Sequence, residues 1–236
     1  MEQHGHQSKL WYLEGFDLFQ KMTPKEIEGI EQAMHMRHLK KNAILRFPQM
    51  LNRYVYLLKE GVIKIALMNE DGEEFIKYLI KPGNLFGEIP LLGDVESSEE
   101  YAVALEDSTV CFMDTEKMKQ WMLENADLRT EIFKQIGTRI KKVENRLLSM
   151  FFKDAATRIR EFIADFVKEF GKESPAGYEV KNFLTHEDIA KLTATSRQTV
   201  STILNELREK GMIEYNSKII KIPKSSVLFN QLTNPR

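Results

Sequence analysis

Three regimes of hydrophobic spacing follow one another along the chain. Up to about residue 38 the apolar positions repeat at helical intervals, with Ile27, Ile30 and Met34 after Thr23-Pro24-Lys25-Glu26. That start joins a Thr N-cap, a Pro at the first helical position and a Glu at the third, as in a capping box. Residues 1–38 are therefore expected to be helical. From 39 to 113 the spacing shortens. Ile63, Ile65 and Leu67 alternate with Lys64 and Ala66, Phe75–Ile80 follow as a return strand, and Val103, Leu105, Val110 and Phe112 mark more strands. Turn signals at Lys59-Glu60-Gly61, Asn69-Glu70-Asp71-Gly72 and Lys81-Pro82-Gly83-Asn84 cut the runs short. Asp-Gly tolerates the positive φ of a hairpin. Short antiparallel strands in a sandwich or barrel are expected.

Residues 114–150 return to helical spacing. Phe133, Ile136, Ile140, Val143, Leu147 and Met150 are separated by steps of 3, 4, 3, 4, 3. A stripe this narrow suits a coiled-coil seam against an identical helix, or a helix lying on its own domain. The seam ends at Phe151-Phe152-Lys153. Asp154 is placed to cap a further helix carrying Ile159, Phe162, Ile163, Phe166 and Val167, and Gly171–Gly177 reads as a loop. The domain boundary falls near residue 153.

Residues 184–222 carry the most specific pattern. Thr185-His186-Glu187-Asp188 is an N-cap with a capping box, and Ile189, Ala190 and Leu192 give its helix a buried face. After the break Thr193-Ala194-Thr195, Ser196 caps a second helix with Val200, Ile203, Leu204 and Leu207 inward. Two short helices joined so closely form a helix-turn-helix. Gly211 stops the second, and Met212–Tyr215 with Ile219–Ile222 reads as a two-stranded wing. The outward residues are Arg197, Gln198, Ser201, Thr202 and Asn205, in the turns where a recognition helix meets base edges. Arg197 can bond guanine through two donors, and Gln198 or Asn205 can bond adenine through donor plus acceptor. Thr185 and Ser196, at the helix starts, join this candidate DNA surface. Lys191, Lys210, Lys218 and Lys221 suit phosphates. The alternative is a winged helix used for protein contact alone.

The formal net charge is −1. It conceals two opposed parts. Residues 181–236 hold 9 Lys+Arg against 5 Asp+Glu, a net of +4, and residues 1–180 hold 25 against 30, a net of −5. A basic C-terminal part and an acidic remainder cancel, and DNA binding is expected to weaken steeply with salt. The single cysteine, Cys111, excludes an intramolecular disulfide and a four-thiolate cluster within one subunit. No apolar run approaches the ~20 residues of a membrane span. The polar start Met1–His6 lacks a signal core. The expected compartment is the cytoplasm, with no membrane partner.

On these residues the chain resembles the CRP/FNR family of bacterial transcription regulators. Leu184–Ala190 and Thr195–Val200 match its helix-turn-helix. Phe16-Asp17-Leu18-Phe19, Leu58-Lys59-Glu60-Gly61, Lys81-Pro82-Gly83 and Phe86-Gly87-Glu88 match its cyclic-nucleotide-binding β-roll. The resemblance implies an α+β chain. An antiparallel β-roll (double-stranded β-helix) sensor would occupy residues 1–126, a dimerisation helix and hinge 127–153, and a winged helix-turn-helix 154–236. It implies a homodimer on a two-fold symmetric double-stranded DNA operator, with RNA polymerase as a further partner. Arg197 falls on the family's guanine-reading position, whereas Gln198 and Thr202 replace the Glu and Arg of many members. A signal in the sensor would act through the packing of Phe133–Met150 and a hinge near Phe151-Phe152-Lys153.

By the same resemblance, the ligand pocket would involve Phe86, Gly87, Glu88, Ser97, Ser98, Glu99, Val143 and Glu144. Glu88 stands where members contact a ribose hydroxyl. The phosphate-binding Arg-Ser pair is replaced by Ser98-Glu99, in a loop with four acids and no base. Val143-Glu144 replaces the adenine-contacting Thr-Ser pair. An anionic cyclic phosphate beside unpaired carboxylates is costly, which argues against cyclic AMP. Cys111 alone cannot hold an iron–sulfur cluster. The five histidines, His4, His6, His35, His38 and His186, leave residues 39–185 without one, against haem. His4 and His6 read as a solvated end. Tyr54, Tyr56, Phe75, Tyr78 and Tyr101 suit either an apolar ligand pocket or plain core. No cofactor, metal site or catalytic residue is expected, and the effector stays open. Two other classes compete: a nucleotide-type module regulating a partner without reading DNA, and a cupin-type enzyme. Arg197 on an exposed helix opposes the first. The lack of histidine on the strands opposes the second.

Overall fold

The computed structural model describes Leu13 and residues 16–46, 54–87 and 100–229. The chain divides into two compact units, Met1–Lys141 and Lys142–Arg236.

In the first unit, α1 (Pro24–Ala33) starts as its sequence requires. The Thr23 amide donates to Glu26 Oε2 at 2.7 Å and the Glu26 amide donates to Thr23 Oγ1 at 3.4 Å. The expected helix does not reach residue 38. Strand β1 (His35–Leu39) follows instead, because it pairs antiparallel with β8 (Ser108–Asp114), His35 opposite Phe112. This pairing lies more than seventy residues away in sequence, beyond the reach of local spacing. The other strands are β2 (Ile44–Arg46), β3 (Tyr54–Glu60), β4 (Ile63–Met68), β5 (Glu74–Ile80), β6 (Leu85–Gly87) and β7 (Glu100–Ala104). They form two antiparallel sheets, ordered β1-β8-β3-β6 and β2-β7-β4-β5. This is the expected β-roll.

The two faces of β3 serve two cores. Tyr56 and Leu58 join Ile63, Ile65, Ile80, Phe86 and Val110 inside the roll. Val55 and Leu57 face a second cluster with Phe16, Phe19, Ile30, Cys111 and Met113. Alternation fails at Lys64, which is only 8% exposed. Its ammonium lies 3.0 Å from Glu74 Oε1, and the Tyr101 hydroxyl donates to the same carboxylate at 3.0 Å. Pairing offsets the cost of burying that charge. Asn69-Glu70-Asp71-Gly72 forms the β4–β5 turn, with Gly72 at φ 78°.

The helical stretch from residue 114 is two helices, α2 (Thr115–Glu124) and α3 (Ala126–Phe152). Asn125 separates them, and its side chain accepts from the Leu128 amide at 2.8 Å. Leu128 and Ile132 bury the first turns of α3 in the second cluster. Further along, Gln135 accepts from the Leu85 amide and donates to the Gly83 carbonyl, at 2.9 and 3.1 Å. Arg139 donates to the Leu85 carbonyl and stacks 4.5 Å over the Tyr78 ring. Both clasp the segment leading into β6.

The second unit holds the end of α3, then α4 (Ala155–Phe170), α5 (His186–Thr193) and α6 (Arg197–Glu209). Asp154 caps α4 by accepting from the Thr157 amide at 2.7 Å. Its sheet has four strands, ordered β11-β12-β10-β9: β9 (Lys172–Ser174), β10 (Gly177–Lys181), β11 (Glu214–Tyr215) and β12 (Ile219–Pro223). This corrects both the loop expected at 171–177 and the two-stranded wing. Close backbone approach requires the turn glycine: Gly177 sits at φ 140°, and a Cβ there would meet the Ile222 carbonyl oxygen at 2.1 Å. Among the described residues, no helix is long and apolar enough to cross a membrane.

Candidate nucleic-acid interface

The reader is built on its caps. Thr185 Oγ1 accepts from the Asp188 amide at 3.1 Å and donates to Asp188 Oδ2 at 2.6 Å. The Thr185 amide completes the box at 3.0 Å, so the buried Asp188 carboxylate is satisfied. Ser196 begins α6 by accepting from the Thr199 amide at 3.0 Å. Val200, Leu204 and Leu207 are buried, and Ile203 is half-buried. Their burial turns Arg197, Gln198, Thr202 and Asn205 to solvent. Among the described residues, the Arg197 guanidinium has no hydrogen-bond or ion-pair partner. A guanidinium held at a helix start without a partner is available to an incoming acceptor. Asn205 Oδ1 accepts from Arg208 at 3.1 Å.

Ser201 does not share that freedom. It is half-buried, donates its hydroxyl to the Arg197 carbonyl at 3.0 Å and lies 2.7 Å from His186 Nδ1. Lys221 is also committed. It meets Glu179 across the sheet at 3.0 Å, and that carboxylate holds its ammonium pKa above the ordinary value. Lys218 stands exposed at the wing tip, where Asn216 Oδ1 accepts from the Lys218 and Ile219 amides at 2.7 and 3.0 Å. Lys191 and Lys210 pair loosely along their helices with Glu187 and Glu206, at 3.9 and 3.8 Å.

The sequence reading missed the groups that hold the turn. Arg158 of α4 donates to the carbonyls of Thr193, Ala194 and Lys153 at 2.8, 2.9 and 2.7 Å. Arg146 donates to the Lys191 carbonyl at 2.7 Å. Two cations therefore meet the carbonyl end of α5, where its dipole is negative. An arginine on a neighbouring helix carries no local mark of such a role. The same contacts brace the junction expected to be a hinge. The Lys153 carbonyl accepts from Arg158, and its ammonium pairs with Glu161 at 2.7 Å.

Ala194 closes α5 in the left-handed conformation, φ 50° and ψ 53°. That region costs a side-chain-bearing residue roughly 1 kcal/mol or more. Ala194→Gly is expected to stabilise the reader by up to about 1 kcal/mol, since relief of strain outweighs added chain entropy. Thermal unfolding should show a higher midpoint; a lower one would mean that the turn is unstrained.

Two family models match this chain in order. A cyclic nucleotide-binding domain matches residues 36–125, and a Crp-like helix-turn-helix domain matches residues 157–228. The chain belongs to the CRP/FNR family. Like its homologues, this CRP/FNR protein is a DNA-binding transcription regulator rather than a protein-contact module. It is similar to the global nitrogen regulator of Nostoc sp., 29% identical over 194 residues, covering 82% of this chain and 87% of that protein. It is similar to the lactate racemization regulatory protein of Lactiplantibacillus plantarum, 28% identical, covering 90% and 100%. Among solved structures, a CooA mutant from Carboxydothermus hydrogenoformans aligns with TM-score 0.68 at 26% identity, covering 82% and 85%. Both of these curated relatives are named as regulatory proteins.

In this CRP/FNR regulator, Phe86 is fully buried and stacks on Tyr56 with centroids 5.2 Å apart. Gly87 sits at φ 84°, and a Cβ there would strike the Tyr56 ring at 2.7 Å, so internal packing already demands glycine. Glu88, Ser97, Ser98 and Glu99, with His4 and His6, lie outside the described residues. Val143 and Glu144 are exposed on α3. The five aromatics do not form one lining. Tyr54 and Tyr56 pack with Phe112 in the roll core, Tyr78 lies under Arg139, Tyr101 holds Glu74, and Phe75 is exposed. Along the expected seam, Phe133, Ile140, Val143 and Leu147 are each 50–55% exposed. Ile136 packs in part against the first unit's core, and Met150 is half-buried.

Proposed function

We propose that this CRP/FNR regulator acts as a homodimer that reads a two-fold symmetric operator. The observation that carries the reading is the apolar stripe of Phe133, Ile140, Val143 and Leu147, left half-exposed on a long helix. A heptad stripe in solvent calls for a partner with the same stripe. Two copies place two α6 helices in successive major grooves, with half-sites about one DNA turn, roughly 34 Å, apart. Arg197 reads a base edge, and Gln198, Thr202 and Asn205 complete the reading face. Thr185, Ser196 and Lys218 lie toward the phosphates. Ser201 supports the helix from behind, and Lys221 stays charged in its ion pair with Glu179. The dimer doubles the +4 charge of residues 181–236, so affinity falls steeply with salt. The protein carries out no chemistry of its own and works in the cytoplasm beside RNA polymerase.

The sensor answers a signal other than cyclic AMP. Supporting this are the missing Arg before Glu99 and the missing hydroxyls at Val143-Glu144. The clasp of Gln135 and Arg139 on the segment entering β6 gives the roll a grip on α3. The signal acts only to the extent that it binds the two arrangements of the protein with different affinity. Genomic footprinting with and without cyclic AMP tests the whole reading. The expected result is protection of two inverted half-sites, unchanged by the nucleotide. Asymmetric protection would overturn the dimer, and nucleotide-dependent protection would overturn the sensor reading.

A further inference from the structure

We infer that His186 is a positioning residue of the DNA reader, tying the recognition helix α6 to the wing strand β11 as a neutral imidazole protonated on Nδ1. The inference rests on the reading of α6 as the base-contacting helix. His186 is the first residue of α5, beside an open cleft lined by Thr185, Glu187 and Arg197. Its two ring nitrogens reach two different elements: Nδ1 lies 2.7 Å from Ser201 Oγ on α6, and Nε2 lies 2.7 Å from the Tyr215 hydroxyl on β11.

The direction of every bond in this chain follows from its ends. Ser201 spends its proton on the Arg197 carbonyl, so its oxygen faces Nδ1 as an acceptor and Nδ1 must carry hydrogen. At the other end, the Tyr215 hydroxyl lies within hydrogen-bond distance of Nε2. Its own proton is free to go to Nε2, which accepts. Donation then runs one way, from Tyr215 to His186, to Ser201 and to the backbone of Arg197. The other neutral tautomer sets the Nδ1 lone pair against an oxygen at 2.7 Å and leaves the tyrosine proton without this acceptor. A second proton on the ring meets the same obstacle at Tyr215 and adds a charge near Arg197.

The groups facing the ring agree. Arg197 of α6 and Tyr215 of β11 offer it no negative charge, and Glu187 is its chain neighbour on α5. Burial first, and then the Arg197 charge, hold the His186 pKa below the ordinary 6.5. The folded state therefore takes up its proton later than the unfolded chain. Stability from this site is complete above pH 6.5 and is lost as pH falls from 6.5 through the folded pKa. Binding that needs the tie falls only as the folded ring itself takes a proton, at a pH below 6.5.

Long-range 1H–15N NMR of the full chain, run from about pH 7 to about pH 5, reads the ring directly. The expected result is one tautomer, protonated at Nδ1, titrating below a free imidazole, with Tyr215→Phe releasing it into a mixture. A second arm measures binding to a duplex of about 30 bp, selected by the wild-type protein from a random-sequence library. His186→Leu should weaken binding about tenfold, the worth of one lost hydrogen-bonded tie, and His186→Asn should recover part by restoring a donor to Ser201. A tautomer protonated on Nε2, a ring that averages both forms, or His186→Leu binding like wild type overturns the inference. If the wild-type protein selects no duplex, the reader assignment fails, while the spectrum still decides whether the tie exists.

Discussion

Replacing Leu147 with glutamate is expected to convert the regulator into a monomer and to abolish operator binding at concentrations where the wild type saturates. Leu147 is 54% exposed on α3 and lies on one stripe with Phe133, Ile140 and Val143. In a two-fold seam the new carboxylate enters twice, facing apolar neighbours and its own copy. An unpaired charge in such a seam costs several kcal/mol, roughly a hundredfold or more in dimer dissociation. Little stability of the single chain is at stake, because a half-exposed side chain contributes little to its own fold. Glu144→Gln is the control. It alters a charge on the same helix off the seam and should leave assembly unchanged. Sedimentation equilibrium beside a gel-shift titration measures both steps. A Leu147→Glu protein that stays dimeric would show that the stripe is covered by something other than a second copy.

Arg197→Ala is expected to weaken operator binding by about 1–3 kcal/mol and to relax preference at one base pair per half-site. The side chain is exposed, caps nothing and has no partner among the described residues, so thermal stability should not change. A phosphate contact would behave differently, weakening all sequences alike. Selection of bound sequences by the variant, compared with the wild type, separates the two. Unaltered preference at every position would remove Arg197 from the base-reading set.

Much of the reader was legible because its signals are local. Thr185 and Asp188 stand three residues apart, as do Ser196 and Thr199, and caps of this kind are written in adjacent residues. The same holds for Thr23 with Glu26, for Asp154 with Thr157 and for the Asp-Gly turn. The exposed apolar stripe of α3 was legible for a related reason. A helix maps spacing along the chain directly onto one face, so six residues at heptad steps suffice to describe it.

The failures share the opposite character. His35–Leu39 contains no strand signal strong enough to end a helix, and its partner is β8. Lys172–Ser174 is polar and exposed, and it becomes a strand only because β10 lies beside it. Lys64 looked like an outward lysine until Glu74 and Tyr101 were placed around it. On the recognition helix, spacing turned Ser201 outward with Arg197 and Asn205. It did not show that His186, fifteen residues earlier, would take the hydroxyl.

By itself, then, the sequence determined the capped helices of the reader, the β4–β5 hairpin turn, and which face of α6 is apolar. Those properties depend on contacts within a turn or two. Only the tertiary structure decided which polar groups of that face are free. Arg197 and Gln198 are left to solvent, Ser201 and His186 are bound into a chain with Tyr215, and Lys221 is held by Glu179. These pairings join residues 15 to 42 positions apart. A hydrogen bond needs its partners within about 3 Å at the right angle. Nothing short of the folded chain sets that distance.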